Sequence, residues 1–403
     1  MRYIICKLLF YYLSIKFNHH FNEIKIIFRY ENLSQPVGRG KNIFELSFSK
    51  LIDIILLIFY SASLSFGEAY LKGNISIKGD LDKFVFAIDK NFNNQVRFSY
   101  FSNLRYLVNL LSKKLRRNSL SKSIGNVRAH YDQDPEFYKL FLDSSMQYSC
   151  AYFSNNNMSL EEAQYAKKDH ISKKLLLNSG LKILDIGCGW GGLSLFIAKN
   201  YDCFCHGITL SKNQLNMARD RAIKENLINL LEYSETDYRN LKNKYDRIVS
   251  IGMFEHVGLK NYDQFFKKVS ECLKSDGVAL IHTIGRIRGP GATDPFLSKY
   301  IFPGGYIPAL SEILPCIEKN NLMITDIEFL HLHYAITLNK WRENFLKKSS
   351  FIKKKYGENY MKMWEYYLII SESAFRTNHM TVFQIQLAKK PSSIPSARDY
   401  IYK

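Results

Sequence analysis

Four glycines within six residues constrain this chain more than any other feature. The run Leu184-Asp185-Ile186-Gly187-Cys188-Gly189-Trp190-Gly191-Gly192 closes the short apolar stretch Lys182–Ile186 and opens Gly192–Lys199, which has helical periodicity. Glycines at a strand-to-helix turn let the backbone bend sharply, so that a ligand approaches the main chain without meeting side-chain carbon. Asp185, just ahead of the loop, can accept hydrogen bonds or balance a cationic ligand. A dinucleotide fingerprint reads G-x-G-x-x-G, whereas this loop reads G-x-G-x-G-G.

The pattern continues as alternating strands and helices. Cys203–Thr209 reads as a strand, Lys212–Lys224 as an amphipathic helix, Tyr245–Ile251 as a strand, Tyr262–Leu273 as a helix and Gly277–His282 as a strand. Such alternation predicts an α/β fold, a doubly wound and mostly parallel sheet with ligands at the carboxyl ends of its strands. Many nucleotide-binding sheets end their second strand in Asp or Glu to hold ribose hydroxyls. Here that place reads Gly207-Ile208-Thr209-Leu210-Ser211-Lys212-Asn213-Gln214. Thr209 and Gln214 either supply neutral hydrogen bonds or form an ordinary strand end and helix cap.

A chain of 403 residues is long enough for two domains. The first 110 residues show mixed apolar runs and predict a smaller accessory domain. The basic, Ser-rich stretch at 111–125 predicts a linker, and 126–395 the larger α/β domain. A formal charge of +19 favours anionic partners. Nothing in the sequence matches a nucleic-acid-binding motif, so a phospholipid surface or a charged cofactor is the better partner. The seven cysteines lack metal-ligand or disulfide spacing; Cys203 and Cys205 fall on one face of a strand, and a reducing cytosol is expected. Two runs, Met1–Phe17 and Leu51–Phe59, are apolar but shorter than the roughly 20 residues that span a bilayer, and read as buried helices or strands.

The Asp-opened glycine loop resembles motif I of class I methyltransferases. Further blocks resemble the cyclopropane fatty acid synthase family in order and spacing: His130-Tyr131-Asp132, Met146-Gln147-Tyr148-Ser149-Cys150-Ala151-Tyr152-Phe153, Met253-Phe254-Glu255-His256-Val257-Gly258, His282-Thr283-Ile284-Gly285, and His333-Tyr334-Ala335-Ile336-Thr337-Leu338. The resemblance covers residues 125 to 390, and Gly67-Glu68-Ala69-Tyr70 extends it faintly into the first domain. It departs at Gln133-Asp134-Pro135, where the family often has a turn containing Gly and Asn.

The resemblance implies S-adenosylmethionine as methyl donor, bicarbonate as bound base and unsaturated phospholipid acyl chains as substrate. It also implies a cytoplasmic enzyme peripheral to the inner face of the cell membrane, and leaves a homodimer open. Asp185, Gly187 and Gly189 match cofactor-loop positions, and Thr209 and Gln214 match ribose contacts. Tyr148 and Ser149 match residues closing over the cofactor's other side; Asp237 and Tyr238 match the stretch beside adenine. Cys150, Glu255, His282, Ile284 and Tyr334 match the positions holding bicarbonate. Taken alone, Glu255 equally suits a helix cap, His282 a core histidine, Cys150 a small buried residue and Tyr334 a packed aromatic. A different methyltransferase on the same scaffold and a non-catalytic lipid-binding derivative are the competing classes.

Overall fold

The structure is a computed structural model that describes residues 2–18, 21–93, 134–155, 157–377 and 379–402. The block His130-Tyr131-Asp132 and the linker expected at 111–125 lie outside the described residues. Two compact units emerge. One takes the described residues of Met1–Lys113 with Asp294–Ile301 and Trp341–Asn378; the other takes those of Lys114–Thr293, Phe302–Lys340 and His379–Lys403.

In the first unit, β1 (Ile24–Tyr30), β2 (Leu33–Val37), β3 (Asn42–Phe48) and β4 (Ile75–Lys78) form a sheet ordered β2-β1-β3-β4, with β1 and β3 parallel. Alternate residues of β1 are buried, as a sheet with one covered face requires. The core also draws on Phe296, Tyr366 and Ile369, far along the sequence. The two apolar runs expected to be buried are the helices Arg2–Phe17 and Leu51–Phe59, and each keeps one apolar face in solvent. In Leu51–Phe59 only Ile54 is buried. Length and apolarity report how much surface a helix offers, and here the unit is too small to cover both sides. No helix among the described residues is long and apolar enough to cross a membrane.

The second unit carries the predicted sheet. Its strands are β5 (Lys182–Ile186), β6 (Phe204–Thr209), β7 (Leu231–Glu235), β8 (Tyr245–Ile251), β9 (Leu273–Arg286), β10 (Met323–Phe329) and β11 (Met380–Ala388), ordered β10-β11-β9-β8-β5-β6-β7. β11 runs antiparallel to both neighbours, while β7, β6, β5, β8 and β9 are mutually parallel. The strand order reverses between β5 and β8, which opens a crevice at their carboxyl ends. β9 is longer than the Gly277–His282 read from sequence: a register shift against β8 lets extended chain before Gly277 pair as well. The helix Leu160–Lys174 begins with a capping box between Ser159 and Glu162 and buries polar residues, among them Gln164, Lys167 and Lys174.

Candidate active site

The crevice is a cavity at the carboxyl ends of β5, β6 and β8. All nine residues assigned to the cofactor line it. Asp185, Gly187 and Gly189 come from the loop closing β5. Thr209 and Gln214 come from the end of β6 and the helix Lys212–Lys224, Asp237 and Tyr238 from the turn after β7, and Tyr148 and Ser149 from the segment before Leu160–Lys174. Gly189 has φ +56°, and a Cβ placed on it would meet nothing within 4 Å, so bare backbone faces the cavity.

The polar groups around this space are set by local bonds. Asp185 Oδ2 accepts from Ser194 Oγ at 2.8 Å. Burial pushes its carboxyl up to about 6, against opposing pulls from Ser194 and Lys167. Thr209 Oγ1 donates to Gln214 Oε1 at 2.8 Å, which leaves the amide nitrogen of Gln214 as its donor end. Asp237 caps its turn and pairs with Arg239 through both oxygens, at 2.8 and 2.7 Å. Tyr148 packs edge-on against Tyr138, which in turn packs against Trp190. The Trp190 Nε1 group is buried at the cavity without a hydrogen-bond partner. An under-neutralised carboxylate, an unsatisfied indole N–H and open backbone fit a ligand that carries positive charge and polar groups.

The other five assigned residues are buried except for half-buried Ile284, and among them Glu255 and Ile284 are directly bonded. Glu255, in the short turn Phe254–His256 after β8, accepts from Ile284 N–H through Oε1 at 2.6 Å, while its Oε2 is buried without a partner. Burial raises its carboxyl to about 7, with the Ile284 amide among the bonds pulling it back. His282, two residues before Ile284 on β9, is pressed well below its ordinary value by burial, with Lys167 and Lys174 adding to the effect. Gln384 Nε2 donates to His282 Nδ1 at 3.2 Å, so the neutral ring carries its proton on Nε2. Burial raises the Cys150 thiol far above its ordinary value, and Sγ donates to Ala151 O at 3.3 Å. Cys150 and Tyr334 are tied through neighbours. Ala151 N–H donates to Thr337 Oγ1 and Phe153 N–H to His333 Nδ1, both at 3.0 Å.

Sequence reasoning missed Lys167. It is fully buried, and Nζ donates to Gln147 Oε1 at 2.5 Å and Ser149 Oγ at 3.0 Å. Burial pulls its ammonium down to about 7. Gln164 Nε2 supports the same segment by donating to Ser149 O at 2.9 Å. The signal was helical phase. Lys167 shares a stripe with Leu160, Ala163, Ile171 and Lys174, although Lys167-Lys168 looks like a solvated face. His256, which also lines the cavity, is kept neutral by burial that lowers it to about 4.

Residues 118–385 match the family described as mycolic acid cyclopropane synthetase. The chain belongs to that family. Among its relatives, the cyclopropane-fatty-acyl-phospholipid synthase of Escherichia coli (strain K12) is 38% identical over 342 residues, covering 84% of this chain and 86% of the relative. The probable fatty acid methyltransferase of Pseudomonas putida is 35% identical over 350 residues, covering 84% and 86%. A solved cyclopropane synthase from Mycobacterium tuberculosis is 34% identical with a TM-score of 0.63, covering 66% of this chain and 98% of that one. This member of the cyclopropane synthase family is therefore an S-adenosylmethionine-dependent enzyme with the class I methyltransferase fold.

Proposed function

We propose that this enzyme transfers a methylene group from S-adenosylmethionine to the cis double bond of unsaturated phospholipid acyl chains, forming a cyclopropane. The proposal also places it on the inner face of the cell membrane, where such substrates lie. The observation that carries the reading is Glu255, a buried carboxyl raised to about 7 with one oxygen fixed by Ile284 and the other unpartnered. It is supported by the 38% identity to the E. coli enzyme named for this activity.

A cis alkene is a neutral, weak nucleophile, so the methyl donor and the double bond must be held in alignment. Methyl addition leaves a carbocation, and ring closure requires a proton to leave the added methyl. Bicarbonate, when bound, supplies the base for that proton. Glu255 and His282 fit an anion of this size. His282 is neutral and offers Nε2–H as a donor. Glu255, at about 7, can hold or release a proton at Oε2 near neutral pH. Tyr334, buried at the start of the helix His333–Lys347, is assigned to donating a hydrogen bond, and Cys150 to a backbone contact. Ile284 acts through its N–H by fixing Glu255. The raised Cys150 thiol stays protonated, so it does not compete with the alkene for the methyl group. Burial of Glu255, His282, Tyr334 and Cys150 keeps water from trapping the cation.

Mass spectrometry of unsaturated phospholipid incubated with the protein and S-adenosylmethionine tests the reading. A gain of one CH2 per cis double bond that resists hydrogenation is the expected result. A gain that still takes up hydrogen would show a methyl branch, and no gain would end the proposal.

A further inference from the structure

The first helix, Arg2–Phe17, carries two apolar stripes on opposite faces. Cys6, Phe10, Leu13 and Phe17 are buried in the core of the first unit. Ile4, Leu8, Tyr11 and Ile15 repeat the same spacing two positions earlier, and a shift of two positions is more than half a helical turn. These four are exposed, Leu8 by 63% and Tyr11 by 61%. The second helix, Leu51–Phe59, adds Ile52, Leu56 and Phe59 at helical spacing, all exposed. Tyr12 stacks on Phe59 with ring centroids 6.2 Å apart, which joins the two faces into one surface. Contiguous apolar surface on this scale marks an interaction site.

The charges beside this surface indicate what covers it. The first helix has Arg2, Lys7 and Lys16 and no acidic residue, and Lys50 precedes the second helix. Asp53 is the only acid of the second helix, and its Oδ2 is buried. A second copy paired about a two-fold axis would set these cations against one another. An anionic phospholipid surface instead satisfies both parts: apolar side chains enter the acyl boundary, tyrosines sit at headgroup depth, and lysine ammonium groups reach the phosphates.

We propose that the exposed faces of Arg2–Phe17 and Leu51–Phe59 form the surface by which this protein docks on anionic phospholipid bilayers. The inference rests on the reading that its substrate is a membrane phospholipid, and names the face that meets that membrane.

The test is sedimentation of the full chain with vesicles of phosphatidylcholine alone and with added phosphatidylglycerol. It compares wild type, Leu8→Glu, Phe59→Glu and Lys7→Glu. Cofactor affinity and turnover on detergent-dispersed unsaturated phospholipid are measured in parallel. Wild type should bind the anionic vesicles more tightly, and less so at high salt. Leu8→Glu and Phe59→Glu should each weaken that binding about tenfold or more, and Lys7→Glu a few-fold, with cofactor affinity and dispersed-substrate turnover unchanged. Vesicle binding that all three variants retain would overturn the proposal. So would variants that abolish self-association while leaving vesicle binding intact, since that outcome makes the face an interface between copies. If wild type fails on dispersed lipid yet loses vesicle binding through these substitutions, docking stands and the proposed reaction falls.

Discussion

The cofactor cavity and the Glu255 cluster adjoin in sequence at Ser149 and Cys150, yet they are built in opposite ways. The cavity takes most of its residues from 185–238, where successive strands deliver their loops to one edge of the sheet. The cluster takes a turn after β8, the interior of β9, the segment at Cys150 and the start of a helix at His333. In the cavity, open backbone and a partly neutralised carboxylate leave space and charge for a ligand to complete. In the cluster, burial keeps Cys150 and His282 neutral, by raising one and lowering the other, and brings Glu255 up to about 7. On the proposed reading, the first would meet the ligand's charge and the second would hold a proton at a buried carboxyl.

The comparison breaks most sharply if its two halves cannot be inactivated separately. Gly189→Val should lower S-adenosylmethionine affinity by at least about 10³-fold. Its side chain enters the space now open in front of the loop, and a branched residue at positive φ adds about 1–3 kcal/mol of strain. Calorimetry on protein that circular dichroism shows to be folded at the assay temperature checks this, and near wild-type affinity would remove the loop from the site.

Glu255→Gln and Tyr334→Phe should do the reverse: turnover falls about 10²–10³-fold while cofactor affinity is nearly unchanged. Gln keeps the acceptor for Ile284 N–H but cannot hold and release a proton. Removing dissolved carbon dioxide should slow wild type, and added bicarbonate should restore it but restore the variants poorly. Wild-type rates in either variant, or indifference to bicarbonate, would leave the cluster a structural feature only.

This contrast also explains what the sequence made legible. Strands β5, β6 and β8 and the helix Lys212–Lys224 follow from short apolar runs punctuated by glycine and capping residues, because a central parallel strand is buried on both faces. β7 and β10 escaped because polar residues interrupt their short apolar stretches, and β11, antiparallel to both neighbours, interleaves Gln384 and Gln386 with apolar residues. The exposed stripe of Arg2–Phe17 escaped because an apolar run does not reveal which of its faces finds a partner. Asp185, Gly187, Gly189, Thr209 and Gln214 were within reach because strand ends converge, while Tyr148, Ser149, Asp237 and Tyr238 came only with the family resemblance. The partners that tune the site, Lys167 and Gln384, were not, because only the tertiary fold brings them beside Ser149 and His282.

A pH series sharpens the electrostatic side of the comparison. Asp185 is raised to about 6, so in the free protein it is half protonated there. A cationic ligand favours the carboxylate. Binding therefore releases a proton below about pH 6, and affinity should fall about fivefold between pH 6 and 5. Asp185→Asn should flatten this dependence. Affinity constant from pH 7 to 5 would show that Asp185 does not face the ligand's positive charge.

The smallest expected effect concerns Lys167, which links the two regions. Its ammonium holds Gln147 and Ser149 on the cavity side, and its charge helps keep His282 neutral on the other. Lys167→Met preserves much of the buried volume and removes both donors. Gln164 still holds the Ser149 carbonyl, so the segment should loosen rather than detach. Cofactor affinity should fall about three- to tenfold, in line with about 1 kcal/mol for the net loss of hydrogen bonds. Without the cation, Asp185 loses one of the influences lowering its carboxyl, so the midpoint of the pH–affinity curve should move upward from about 6. A merely structural lysine would change affinity and leave that midpoint in place. An unmoved midpoint would therefore separate packing from electrostatics and cut the link between the two halves of the site.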